Sequence, residues 1–517
     1  MPTPYEIYQT YLRGPTAVMR LFEQLFGTLA LYGPPKPDQQ QRTIESQTEQ
    51  IDRLQEQLSR LKAELWQARS DNHRLRRRNA ELEALIGKDS HNSSRPPSSD
   101  PPWAKRTRSL RRPSGKRPGG QPGHPGHTHP QTAKPTRHVV HRPRQCQHCL
   151  SPLGGQTTRS ERRQVIDLMP ARLRVTEHRA EVVRCSRCGL TTKGVFPAQV
   201  RAAVQYGPSV IARALYLHQY QLLPYRRTSE AMRELFSCAL SPGTLARSVA
   251  DSARGLVQTE LKIKRRLRGA GVIHADETGL RVEAKCHYVH VSSTARLTHY
   301  GYDAGRGRAA MDEIDILPRF RGTCVHDGWL SYTYYRKCQH ALCGAHLLRE
   351  LTYFAELDEQ RKVWAAPLRQ LLLEIKREVD GAREGGGGDR LDSQRVTALS
   401  DCYEQMVKDG LEANPPADAA DHVGRQARNL VLRLERRKEE VLRFMRDFAV
   451  PFDNNQAERD LRMIKLRQKI GGCFRTGEGA RQFCRIRSYL STMKKQDKGA
   501  LLALERACAG RPFSPTS

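Results

Sequence analysis

The longest regular pattern in the chain is a seam of positions spaced alternately three and four apart: Ile51, Leu54, Leu58, Leu61, Leu65, Ala68, Asn72, Leu75, Asn79, Leu82 and Ile86. A 3.5-residue repeat held for about five heptads predicts a coiled coil rather than a helix packed on its own chain. Asn72 and Asn79 fall at a positions, where a buried amide lowers stability but sets register and strand number, so a dimer is expected. Upstream, Ala17 to Tyr32 is apolar but broken by Arg20 and Glu23, which fits an amphipathic helix and not a signal peptide. From Tyr206 to about Arg268 the period is again helical, with Thr228 and Ser241 as expected N-caps and Pro242 at a first helical position. Two helices joined there by the short CALSP turn form either a plain packing pair or a helix-turn-helix.

The period then shortens. VIHADET is an apolar run that ends in acid, predicting a strand that delivers Asp276 at its C-terminal end. HYVHVSST and LTHYGYD follow as strands, GRAAMDEIDILPRF as a helix stopping at Pro318, and RGTCVHDGW as a fourth strand ending at Asp327. Three strands, a helix and a strand is the order of the ribonuclease-H-like fold, in which the first and fourth strands are neighbours and their terminal acids converge. A lone Asp at a strand end is most often a turn residue; two in this order point to a metal site. Further on, PFDNNQAERDLRMIKLRQK predicts a helix capped by Asp453 or Asn454, with Glu458 a turn inside and Asp453 and Asp460 as rival third acids. Hard Mg²⁺ (or Mn²⁺) takes oxygen ligands, and two such ions can clamp the attacking and leaving oxygens of a phosphoryl displacement.

Charge and cysteine content sharpen this picture. The 87 Lys+Arg against 55 Asp+Glu leave a net charge of +32, which favours a polyanionic partner and binding that weakens with salt. No apolar run is long enough to span a bilayer, so no membrane partner is expected. Between Pro101 and Gln145 there are 11 Lys/Arg and no acid among many Pro and Gly, the composition of a solvated linker that can also track phosphates. Cys146 and Cys149 form one C-x-x-C pair, and Cys185 and Cys188 another. Two such pairs supply a tetrahedral four-thiolate set for a structural Zn²⁺, whereas a redox pair would need only one. The remaining nine cysteines show no framework spacing and fit reduced thiols in a cytoplasm.

Taken in order, HNSSRPPSSD, GGQPGH, the two C-x-x-C pairs, HADETG, VHDGW, LCGAHLLREL, PFDNNQAERDLRMIK, KIGGCFRT and RSYLSTMKK resemble the transposases of the insertion sequence 66 family. The resemblance runs from the coiled coil almost to the C-terminus. It implies a DDE transposase that cuts DNA at element ends and transfers the freed strand into target DNA. By motif it assigns Asp276, Asp327 and Glu458 as the catalytic, Mg-binding triad. Cys343 and His346 match a C-x-x-H that braces the site; a zinc on those two would lack visible partners. Arg459, Arg462, Lys465, Arg467 and Lys469 would neutralise the DNA backbone near the cut. Element ends and target DNA, a homodimer through the coil and accessory transposition proteins are the partners implied, in a cytoplasmic, nucleoid-associated bacterial setting.

The expected organisation is multidomain α/β. An N-terminal helical segment (1–43) precedes a leucine-zipper-like coil (44–88), a basic Pro/Gly-rich linker (89–145) and a zinc-binding domain (146–200). A helical segment (201–268), a ribonuclease-H-like DDE catalytic domain (269–495) with a helical insertion at about 345–450, and a tail (496–517) follow. A zinc-containing DNA-binding regulator without catalysis, or a structure-specific nuclease of the same fold, are the rival readings. The regulator would not need the acid triad.

Overall fold

The computed structural model describes residues 2–29, 37–86, 88–93, 100, 123, 130–154, 156–157, 159–168, 173–386, 388–417 and 421–516. Most of the basic linker expected at 89–145 therefore lies outside the described residues. The chain divides into two compact units, Met1–Gly87 with Ala419–Val423, and Lys88–Asp418 with Gly424–Ser517.

In the first unit, helix α1 (Pro4–Leu12) starts from a capping box in which the Thr3 hydroxyl accepts the Glu6 N–H and the Glu6 carboxylate accepts the Thr3 N–H. Helices α2 (Pro15–Leu29) and α3 (Pro37–Ile86) follow. At 1.5 Å per residue the fifty residues of α3 extend about 75 Å. Along it Ile51, Leu54, Leu58, Leu61 and Leu75 are all exposed.

The second unit begins with small turns and the antiparallel strands β1 (Val182–Arg184) and β2 (Thr191–Lys193). Helix α4 (Pro208–Leu215) runs into a π-helical turn at Tyr216–Tyr220, and α5 (Tyr225–Phe236), α6 (Pro242–Gly255) and α7 (Val257–Arg268) complete a helical segment. Ser241 caps α6 as expected, its hydroxyl accepting the Thr244 N–H at 3.1 Å with Pro242 behind it. Thr228 does not cap. Pro224 starts α5 earlier, so Thr228 lies inside the helix, buried, with its hydroxyl on the Leu223 carbonyl. Helices α4, α5 and α6 share a core of Ala214, Met232, Cys238, Leu240 and Leu245.

A five-stranded sheet carries the rest. Its strands are β3 (Val272–Val282), β4 (Lys285–Ser293), β5 (Thr298–Asp303), β6 (Thr323–His326) and β7 (Gln339–Leu342), in the order β5-β4-β3-β6-β7. β4 is antiparallel to both β3 and β5, whereas β6 and β7 run parallel to β3. Contrary to the sequence expectation, β3 does not end at Asp276. Thr278–Val282 keeps the alternation and turns into β4 through Glu283 and Ala284, both at positive φ. Asp276 instead stands where the parallel pairing with the shorter β6 stops. Helix α8 (Arg308–Ile314) likewise ends sooner than expected, on left-handed Asp315.

Alternate residues of β3 face opposite layers. Leu280 and Val282 pack on α15 (Asn455–Gly471) and α16 (Gly477–Lys495), while Ile273 and Ala275 pack with Ile263 and Leu267 of α7 and Met311 of α8. Helices α9 (Gly344–Leu357), α10 (Glu359–Glu384), α11 (Ser393–Ala413) and α12 (His422–Arg436), with the short α13 (Lys438–Val441) and α14 (Arg443–Arg446), lie between β7 and α15 in the chain. Residues 496–517, expected as a tail, instead include the packed helix α17 (Ala500–Cys508), whose Ala503 and Leu504 join Tyr489 and Met493 in a core. Among the described residues no helix is long and apolar enough to cross a membrane.

Candidate functional site

Two of the sequence-predicted acids meet through strand register. Val272, Ile273 and His274 of β3 pair in parallel with Thr323, Cys324 and Val325 of β6. Two residues beyond the last of these pairs come Asp276, on the sheet face that carries α15, and Asp327, just past the end of β6, whose negative charge reaches the Asp276 carboxyl. The turn beyond β6 is held by polar contacts. Gly328 takes φ +95°, and the Asp327 Oδ1 accepts the Trp329 N–H at 2.8 Å. The Gly328 N–H donates to Nδ1 of buried His326, so His326 carries its proton on Nε2 and donates to His340 Nδ1. His340 Nε2 then donates to the Tyr335 carbonyl, closing a chain of fixed tautomers under Asp327.

The third acid arrives on α15. Asn454 occupies the N-cap position, but its buried side chain caps nothing. Its Nδ2 donates to the Ala275 carbonyl at 2.8 Å, and its Oδ1 accepts from His274 Nδ1 at 2.9 Å. The amide thus clamps the start of α15 to the residue before Asp276. One turn on, the Glu458 N–H bonds the Asn454 carbonyl, and the Glu458 carboxylate lies 3.9 Å from His346 Nδ1 and 3.6 Å from Arg349. Burial, and then the negative charges of Glu277, Asp327 and Glu458, push the Asp276 carboxyl well above the usual carboxylate range. A divalent cation beside Asp276 would relieve that opposition to its ionisation.

Cys343 and His346 come together at the first turn of α9. Gly344 packs so closely that an added Cβ would lie 2.3 Å from the Phe452 ring, and its N–H bonds the Phe452 carbonyl. Cys343 Sγ accepts the Asn454 N–H at 3.2 Å, and burial pushes its thiol up to about 12. Burial, with Arg349 and Arg433 nearby, lowers His346 to about 3, so its ring is neutral.

Glu277 escaped the sequence reading. On the opposite face from Asp276, its carboxylate is almost wholly buried and accepts from Arg306 at 2.7 and 2.9 Å and from the Tyr332 hydroxyl at 2.7 Å. Arg306 in turn lies 4.2 Å over the Trp329 ring. The adjacent acids in HADET, and the aromatic residues after Asp327, were the available signals.

The rival acid Asp460 is engaged elsewhere, bound at 2.7 Å by Lys495 in a largely buried pair. Of the basic residues expected at DNA, Arg459, Arg462, Lys465 and Lys469 are exposed, and Lys465 also donates to the Gly279 carbonyl. Arg467 corrects the expectation. It is 7% exposed, with its guanidinium 4.7 Å over the Phe474 ring, because its helical position faces the core and not solvent.

The four zinc-candidate cysteines sit on two turns of the same design. In one, the Cys146 N–H bonds the Ser151 carbonyl while the Leu150 N–H bonds the Cys146 carbonyl; in the other, Cys185 does the same with Leu190 and Gly189. Leu150 and Gly189 occupy equivalent positions at φ 59° and 76°. Within each turn the two thiols are neighbours, Cys146 with Cys149 and Cys185 with Cys188. Among the described residues, the metal-competent donors that lie within 4.8 Å of one another are a different set, Cys343, His346 and Glu458.

Known families overlap these features. The family model described as Transposase IS66 family matches residues 203–482, more than half of the chain. That described as the zinc-finger binding domain of transposase IS66 matches 143–189, and a family of unknown function matches 35–130. No curated protein matches the chain.

Proposed function

Because the chain belongs to the IS66 transposase family, we propose that it cuts DNA at the ends of a mobile element and joins the freed 3′ hydroxyl to target DNA, using Asp276, Asp327 and Glu458. The observation that carries this reading is the parallel register of β3 and β6, which runs out two residues before Asp276 and Asp327, together with the disfavoured ionisation of Asp276 under the charges of Asp327 and Glu458. A strand order of β5-β4-β3-β6-β7 with only β4 reversed supports a ribonuclease-H-like catalytic domain.

The three carboxylates would hold Mg²⁺ or Mn²⁺, two ions in all. Such ions, when bound, supply charge neutralisation at the phosphate and a water of lowered pKa. The carboxylates themselves stay unmodified, so no Ser or Tyr nucleophile is needed. Glu277 is committed to Arg306 and Tyr332, which leaves it a positioning residue on the reverse of the strand. Arg459, Arg462, Lys465 and Lys469 line the exposed side of α15, where they would meet phosphates.

The paired turns support one structural Zn²⁺ on Cys146, Cys149, Cys185 and Cys188. The uncovered seam of α3 supports a coiled-coil homodimer. Labelled DNA carrying the inverted repeats that flank the coding region tests the whole reading. Incubated with protein and Mg²⁺, it should yield cleaved ends and strand-transfer products. Binding without cutting would leave a regulator, and cutting without joining a nuclease.

A further inference from the structure

We infer that Cys343, His346 and Glu458 form a capture site for a thiophilic divalent ion of the zinc class, separate in chemistry from the all-oxygen centre but sharing Glu458 with it. The sequence offered the C-x-x-H pair no third donor. The fold supplies one across 115 residues of chain, and one donor atom from each side chain lies within 4.8 Å of the other two.

Three observations carry the assignment. The His346 Nδ1 is shut away from solvent and has no hydrogen-bond partner, although it lies 3.9 Å from the Glu458 carboxylate. A buried nitrogen left open in this way is a costly vacancy unless something else takes it. Cys343 and His346 are three residues apart on the first turn of α9, so sulfur and imidazole rise from one helix end, and the Gly344–Phe452 contact fixes that end against the segment leading to Glu458. Finally, the donor set is thiol, imidazole and carboxylate. That combination suits zinc-class ions, whereas Mg²⁺ selects oxygen alone.

The distances are close to those needed. Ligands about 2.0–2.3 Å from a tetrahedral ion stand roughly 3.3–3.8 Å apart, so a small contraction would close the set and leave a fourth position for water. As the sulfur–metal bond forms, the Cys343 S–H bond breaks and its proton passes to solvent. Arg349, 3.6 Å from the same Glu458 oxygen, balances the carboxylate until an ion replaces it. Occupancy would withdraw Glu458 from the oxygen centre, so the ion would inhibit Mg²⁺-dependent cleavage. That last consequence rests on the catalytic reading of Glu458; the site itself does not.

Cobalt(II) titration of the full chain carrying one zinc per molecule tests the proposal, read as near-ultraviolet thiolate-to-cobalt absorption and as bound metal. Wild type and Asp276→Asn should each take up a further equivalent that Cys343→Ser and His346→Gln do not, with all four giving the same circular dichroism. Equal uptake by all four overturns the site, and His346→Gln keeps the test decisive should Cys343→Ser fail to fold. If the cobalt difference is present but wild type never cuts DNA in Mg²⁺, the metal site stands and the catalytic reading falls. If wild type cuts and shows no cobalt difference, the reverse holds.

Discussion

Replacing Asn454 with Ala should loosen the candidate site from behind without touching any of its acids. The amide is 1% exposed and makes two hydrogen bonds, to the Ala275 carbonyl and from the His274 ring. Ala275 is itself 2% exposed and His274 is half-buried, so the substitution strands one buried acceptor and one half-buried donor. At about 1–3 kcal/mol for the buried acceptor and about 1 kcal/mol for the half-buried donor, the loss is roughly 2–4 kcal/mol, a large share of the ~5–15 kcal/mol that holds a typical domain. The same two bonds tie the two residues before Asp276 to the residue four before Glu458. Their loss frees α15 relative to β3, and a displacement of about 1 Å at reacting groups can slow a reaction about 100-fold. Urea unfolding followed by the fluorescence of Trp329 and Trp364, beside a cleavage assay at saturating Mg²⁺, measures both effects. Stability within about 0.5 kcal/mol of wild type, the range of an ordinary surface change, would refute the energetic argument. Lost stability with undiminished cleavage would refute the positioning argument.

Asp276→Asn should abolish cleavage, keep DNA binding and, with divalent ions removed, raise the melting temperature at neutral pH. The Asp276 carboxyl titrates higher in the folded chain than its ordinary 3.8, so its contribution favours folding at low pH and is lost as pH rises through the folded value. The melting advantage of the variant should therefore shrink toward pH 4, and a gap independent of pH would contradict the cause assigned. Arg462→Ala should reduce the slope of log affinity against log salt by about 1, whereas Arg467→Ala should leave the slope alone and lower stability; equal slopes for the two variants would contradict a core role for Arg467. Cys185→Ser should bind one zinc fewer than wild type by metal analysis while leaving the circular dichroism of the sheet and helices from 203 onward in place; a zinc content equal to that of wild type would count against the four-cysteine set.

The strands were legible in the chain because alternation and β-branched content survive in HYVHVSST and LTHYGYD, and the helical stretches because their apolar periods are long. Where β3 would end was not, since TGLRV continues the pattern past Asp276 and only the short partner β6 decides where parallel pairing stops. Thr228 misled because a cap preference is local, whereas Pro224 upstream had already set the start of α5. Arg467 misled for a related reason: a basic residue on a basic helix reads as surface, and its burial depends on Phe474, which returns from the following loop. Glu277 and Asn454 were invisible as positioning residues because their partners Arg306, Tyr332 and His274 come from other strands, turns or helices. For the same reason no motif could reveal that Glu458 would join Cys343 and His346.

The chain departs from the sheet at Cys343 and comes back at Phe452, and the two points are stapled together by the Gly344 N–H on the Phe452 carbonyl at 2.8 Å. The segment between is a ring closed at its neck and pinned again where Arg437 and Arg443 donate to the Gly328 and His340 carbonyls. Evolution or an engineer could lengthen or trim the Gly-rich loop between α10 and α11, at its outer turn, while the neck keeps Glu458 in place.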